Sequence, residues 1–252
     1  MRMAMRGLSI ATGVLWLFMA VFILTALYSA TQFGFEISSA EVNAVGSAIV
    51  LTLNITLSNG GFHDITDLLV RSWVFVNTTL LSNSTSGPFT IKGGETGSVA
   101  HDIIIDLADV AANKTLIRML VLNDTILNVT LTISLTYAYM VDAVIDANFS
   151  FPWGAPMSNL TVHGYRWTGT ALEVDLSFVN KSPLAYDFSL EILNSTGGSV
   201  GSSATTHVEA SSAFSGTITI PVNTAYMTPK WTLLAHVSLD TLDITVEVMS
   251  HG

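Results

Sequence analysis

The residues best placed by type to do chemistry are six histidines: His63, His101, His163, His207, His236 and His251. No two stand four residues apart, and none lies in an H-E-x-x-H context, so a helical zinc pair is not encoded. His63–Asp64 and His101–Asp102 set a base beside a carboxylate. A triad also needs a nucleophile, no Ser occupies a G-x-S-x-G turn, and adjacency in sequence is not triad geometry. Asp142 with Asp146, and Asp240 with Asp243, pair carboxylates without matching a calcium-loop spacing. The Gly-Gly pairs at 60–61, 93–94 and 197–198 mark turns and are not followed by the lysine of a phosphate loop. There is no cysteine, which excludes thiolate metal sites and thiol nucleophiles. The expectation is no catalytic residue, no metal site and no cofactor.

The residues that do form a pattern are asparagines. Asn54, Asn77, Asn83, Asn113, Asn123, Asn128, Asn148, Asn159, Asn180 and Asn194 each begin an Asn-x-Ser/Thr triplet, 10 of the 13 asparagines in the chain. Random placement of the Ser and Thr would give about 3, and the triplet is the acceptor for N-glycosylation in translocated proteins. In "LTLNITLS" (51–58) and "NVTLTISLT" (128–136), apolar residues alternate with polar ones, which puts Asn54 and Asn128 on the solvent face of a strand. All ten are expected to be glycan acceptors.

Composition fits that reading. Only 11% of residues are charged, against a usual share of about a quarter. A surface so poor in charge needs hydroxyls or sugars for hydration. The net charge is −10 with no basic run, so clustered cations for nucleic acid or anionic lipid headgroups are missing.

The acceptors must be carried across a membrane, and the N-terminus supplies the means. Residues 8–28, LSIATGVLWLFMAVFILTALY, hold no charge and are long enough to span a bilayer as a helix. Arg2 and Arg6 precede them, while Glu36 and Glu41 follow, which puts the N-terminus in the cytoplasm and the remainder outside the cell. Three fates stay open for this segment. It is an uncleaved signal anchor, a cleaved signal peptide, or a helix cut after Gly7, since "MRGLS" (5–9) resembles the cut site of archaeal type IV prepilins.

Beyond residue 30, short stretches rich in Val, Ile, Leu and Thr recur between Gly, Asn and Ser turns, from 35–43 and 48–58 to 232–239 and 241–249. Only 107–122 has a helical period, and 88–92 reads as a short isolated strand. Trp73, Phe75, Trp167 and Trp231 read as core. The halves repeat. "AIVLTLNITLSNGGFHDI" (48–65) parallels "TALEVDLSFVNKSPLAYDF" (170–188), each a long strand ending at Asn59 or Asn180. "VFVNTT" (74–79) parallels "LEILNST" (190–196), "IKGGETGS" (91–98) parallels "VEASSAFSG" (208–216), and "HDIIIDL" (101–107) parallels "GTITIPV" (216–222).

This order of strand, Asn, loop, strand, polar turn and strand resembles the water-stress and hypersensitive-response (WHy) domain of the late-embryogenesis-abundant-like family. Asn59 and Asn180 look like the Asn that ends the family's first long strand. The resemblance implies two Ig-like antiparallel β-sandwiches behind one transmembrane helix, and an archaeal surface protein with no catalytic residues. The divisions expected are 1–30 anchor, 31–150 first sandwich, 151–157 linker ("FPWGAPM") and 158–252 second sandwich. Trp153 is expected to pack on a neighbouring domain, with a docking epitope as the alternative.

The function expected is a membrane-anchored, N-glycosylated structural or interaction module. Its partners would be the membrane through 8–28 and other envelope or surface proteins, itself included, with no nucleic acid. The alternatives are a filament subunit processed after Gly7 and a module binding lipid or another apolar ligand.

Overall fold

The computed structural model describes residues 2–45, 48–239 and 242–252. The chain is mainly β. One N-terminal helix, α1 (Arg2–Ala30), precedes two antiparallel sandwiches. Within α1, Ile10–Ser29 has a mean hydropathy of 2.4 and is long and apolar enough to cross a membrane. Its large side chains, Leu15, Trp16, Leu17 and Phe18 among them, lie exposed.

The first sandwich is built from β1 (Phe33–Val45), β2 (Ala48–Asn59), β3 (Ile65–Val76), β4 (Thr79–Ile91) and β5 (Thr96–Asp106), then β6 (Thr125–Tyr137) and β7 (Val141–Trp153). One sheet has the order β1-β2-β5 and the other β4-β3-β6-β7. Alternation creates the two layers. Leu51, Leu53, Ile55 and Leu57 of β2 are buried, and so are Val129, Leu131, Ile133 and Leu135 of β6. Each such side chain removed from water contributes roughly 1.5–3 kcal/mol.

The second sandwich follows the same plan. Its strands are β8 (Ser158–Trp167), β9 (Ala171–Val179), β10 (Tyr186–Asn194), β11 (Ser199–Ser202), β12 (Thr206–Val208), β13 (Ala213–Pro221), β14 (Trp231–Leu239) and β15 (Leu242–His251). The sheets are β13-β9-β8 and β11-β10-β14-β15, with β12 also pairing β10. Substituting β8, β9 and β13 for β1, β2 and β5, and β10, β14 and β15 for β3, β6 and β7, superposes the two strand orders. The sequence repeat is therefore a repeat of topology.

Asn59 and Asn180 show the repeat at atomic detail. The Asn59 amide nitrogen donates to the carbonyls of His63 (2.9 Å) and Ile91 (3.2 Å), and its oxygen accepts from the Gly61 N–H. The Asn180 amide donates to the carbonyls of Leu184 (2.8 Å) and Glu209 (2.9 Å), and its oxygen accepts from Ser182 N–H and Oγ. In each copy a buried amide ties the end of a long strand to the following loop and to the polar turn before the next strand.

Three elements depart from the sequence reading. The helical stretch 107–122 is two helices, α2 (Leu107–Ala111) and α3 (Lys114–Leu122). Asp106 caps α2 and Asn113 caps α3, each accepting a hydrogen bond from a first-turn N–H, and the second cap restarts the helix. The strand expected at 88–92 begins at Thr79. The connector is also shorter than 151–157, because Phe151, Pro152 and Trp153 complete β7.

That connector joins the sandwiches tightly. Trp153 is buried and its indole N–H donates to the Leu120 carbonyl (2.8 Å), so it packs inside the protein and is not a docking epitope. Met157 N–H donates to Val121, Lys181 N–H to Ala155, and the Tyr186 hydroxyl to Pro156. A Cβ on Gly154 would collide with the Lys181 carbonyl, so this approach requires glycine. Ile117, Leu120 and Val121 of α3 line one small apolar cavity with Leu184, Leu239 and Ile244 of the second sandwich, and the buried apolar residues of both halves form one continuous cluster.

Candidate functional site

The ten asparagines of the Asn-x-Ser/Thr triplets fall into distinct environments. Asn77, Asn83, Asn113, Asn123, Asn128, Asn148 and Asn159 are exposed, and Asn54 and Asn194 are half-buried. Asn180 is fully buried and both amide donor directions are used inside the protein, so the folded chain does not present it. The expectation for Asn180 is corrected on that ground. Its triplet arises because Ser182, two residues on, belongs to the same internal hydrogen-bond cluster.

Three triplet asparagines share one face. The register places Asn83, Trp73, Thr130 and Asn148 in a row across β4, β3, β6 and β7, with Leu80, Phe75, Asn128 and Ser150 in the next row. Burial alternates along β3, with Val74 and Val76 inside and Trp73 and Phe75 half-buried on the outer face. The core reading of Trp73 and Phe75 is thus corrected; Trp167 is 39% exposed, whereas Trp231 is buried as expected. Asn83, Asn128 and Asn148 frame the outward aromatic pair. Thr130 Oγ1 donates to Asn148 Oδ1 and Ser150 Oγ to Asn128 Oδ1.

Other triplet asparagines have local structural duties. Asn77 and Asn159 hold positive φ of 53° and 57°, a conformation that Asn tolerates better than most residues. The oxygen of Asn194 accepts from the Thr196 and Gly198 N–H groups and closes its turn. Asn113 and Asn123 bracket α3, whose buried face is Leu116, Ile117, Leu120 and Val121. The crowding of triplets in 113–130 thus places asparagines at both ends of a packed helix and on the outer face of the next strand.

The histidine–carboxylate neighbours divide between the faces of strands. His101 is buried between Ser72 Oγ and Ser86 Oγ, both at 2.8 Å, while Asp102 accepts from Thr52 on the outer face. Burial holds His101 below its ordinary pKa, partly offset by Asp102. His63 touches Thr25 of α1 through Nε2 (3.3 Å), whereas Asp64 accepts from the Gly93 N–H. Neither pair makes a dyad.

The outer face of the five-stranded sheet of the second sandwich carries two further histidines, His207 on β12 and His236 on β14. His207 Nδ1 meets Asp187 at 2.7 Å, and this hydrogen bond raises its pKa. Burial alone would lower His236, but Glu191 (2.8 Å) and Asp243 (3.0 Å) on its two ring nitrogens raise it. Both are ion pairs across neighbouring strands. Asp142 and Asp146 accept from Thr136 and Thr132, and Asp240 lies outside the described residues. Among the described residues no group of three or more His, Asp or Glu is arranged to hold a metal ion.

Sequence reading missed the junction of α1 with the first sandwich. Phe22 packs against His63 (ring centroids 5.5 Å), Tyr28 stacks on Phe62 (5.6 Å), and the Phe62 N–H donates to Ser29 Oγ (3.0 Å). A Cβ on Gly61 would meet Ser29, so Gly-Gly at 60–61 serves this contact. The Gly-Gly pair was the available signal.

No protein-family model matches the chain, and no curated protein matches its sequence. Among solved structures, it is similar to a red sea bream transglutaminase at 15% identity and a TM-score of 0.33, over 86% of this chain and 31% of that one. The chain thus spans about a third of that enzyme's length. It is also similar to a protein from Archaeoglobus fulgidus at 12% identity and a TM-score of 0.35, over 47% of this chain and 96% of that one. A bacterial adhesin from Mobiluncus mulieris shares 9% identity at a TM-score of 0.34, over 83% of this chain and 82% of that one. None of these likenesses carries an activity to this chain.

Proposed function

We propose that the protein is a membrane-tethered, N-glycosylated surface protein whose joined sandwiches act as a non-catalytic structural or interaction module outside the cell. The observation that carries this reading is the distribution of acceptors. Nine of the ten triplet asparagines lie exposed or half-buried on a body that follows an apolar helix, and the tenth is explained by an internal hydrogen-bond cluster. Glycans on Asn83, Asn128 and Asn148 would cover Trp73 and Phe75 and hydrate a sheet face that carries few charges. The resemblance to WHy domains supports a non-catalytic role, and the shared environment of Asn59 and Asn180 supports two copies of one such unit. Glycopeptide mapping of protein isolated from its native membrane tests the proposal. Sugars are expected on several of the nine presented asparagines and none on Asn180; a fully unmodified map would remove the glycoprotein reading.

The filament alternative rests on the same helix with a different N-terminus, and a chain beginning at Leu8 would select it. For an apolar-ligand module the space lies outside the sheet interiors, where Leu53, Ile55, Leu131, Leu172 and Leu176 are fully buried: a cavity of about 380 Å³ between α1 and the first sandwich is lined by Phe22, Leu27, Phe33, Ile65, Leu135 and Tyr137.

A further inference from the structure

The base of the first sandwich carries exposed apolar side chains where α1 joins it. Tyr139 is 70% exposed, Met140 68% and Phe62 70%. They belong to the β6–β7 turn and the loop after β2. Ala138 and Tyr139 in this turn hold positive φ of 51° and 58°. Asn and Gly normally fill such positions, and a bulky residue held there points to a function for the ring it presents.

Position along α1 says what faces these side chains. Val141 shares a cavity of about 380 Å³ with Phe22, Ile23 and Leu27. Phe22 lies seven residues before Ser29, which is about 10 Å along a helix axis. A bilayer spanned by Ile10–Ser29 therefore encloses the helix turns that run beside the start of β7. The ring contacts of Phe22 with His63 and Tyr28 with Phe62 set the loop after β2 beside the same turns of the helix. The segment 136–145 contains no Lys or Arg, and its one charged side chain, Asp142, accepts a hydrogen bond from Thr136 (2.8 Å) on the outer sheet face.

We infer that the tip of the β6–β7 turn and the Phe62 ring sit within the lipid bilayer beside α1, as a collar of Tyr139, Met140 and Phe62. The occupant of this apolar surface is lipid, because it is continuous with the exposed apolar surface of the helix. Aromatic and flexible thioether side chains suit the boundary between headgroups and acyl chains. The collar restrains the tilt of the sandwiches relative to the membrane. This inference rests on the membrane-anchor reading of α1.

The absence of cysteine permits single-site labelling. The full chain, carrying Met140→Cys, Leu15→Cys or Thr217→Cys with an environment-sensitive fluorophore on the thiol, is reconstituted into phosphatidylcholine vesicles. Quenching is measured with aqueous iodide and with doxyl-labelled phosphatidylcholine. The label at 140 is expected to behave like that at 15, shielded from iodide and quenched by doxyl lipid, with 217 the reverse. If 140 behaves like 217 while 15 stays shielded, the collar is overturned and the anchor stands. A label at 140 shielded from iodide but untouched by doxyl lipid would put protein there, such as a second copy, and also overturn it. An iodide-accessible label at 15 removes the anchor reading and the collar with it.

Discussion

At the scale of single residues, the same side-chain type does opposite work in different places. Asn180 and Asn59 are fasteners, while Asn83, Asn128 and Asn148 are presented to solvent. Asn180→Ala removes the amide from the Leu184 and Glu209 carbonyls, which keep Ser182 Oγ and Ser212 Oγ as donors, and leaves the buried Ser182 N–H without an acceptor, which alone costs about 1–3 kcal/mol. The variant is expected to lose ~2–4 kcal/mol in denaturant unfolding, whereas Asn148→Ala should stay within about 0.5 kcal/mol of the parent. His101 and His236 give opposite pH signatures. The folded pKa of His101 is depressed, so its contribution is present above the ordinary value near 6.5 and is lost as pH falls below it. That of His236 is raised, so its contribution is complete below 6.5 and is lost as pH rises through the folded value. Denaturation midpoints measured from pH 5 to pH 8 should show the acid-side loss reduced in His101→Gln and the alkaline-side loss reduced in His236→Gln.

At the scale of elements, legibility in the sequence followed the hydrophobic period. Strands such as β2, β6 and β9 bury an unbroken alternate set, and their places and facing were read directly. Strand β4 was missed over 79–87 because its inward residues are Ser82, Ser84 and Ser86, which read as loop. They face polar partners: Ser86 meets His101, Ser82 donates to the Ile104 carbonyl, and Ser84 accepts from the Ile104 N–H. The period of two was present in serine. The triplet at Asn180 misled for a related reason, since a sequon does not reveal whether its amide points inward. Helix α3 and Trp153 bind the two halves together, so Trp153→Ala should cost about 3–5 kcal/mol, the usual penalty for deleting a buried aromatic. Calorimetry should then resolve two transitions where the parent chain shows one.

At the scale of the whole molecule, the duplicated topology and the shared core describe a double unit with an apolar helix at one end. The nine presented triplet asparagines are spread over both halves, from Asn54 to Asn194, as the proposed glycosylation on several sides requires. The most direct test is the intact mass of protein purified from its native membrane, before and after chemical deglycosylation. The account predicts a native mass exceeding that of the polypeptide by several sugar units, falling on deglycosylation to a chain that retains residues 1–7. A chain beginning at Leu8 would move the protein to the filament reading, and a native mass equal to that of the bare polypeptide would contradict the account.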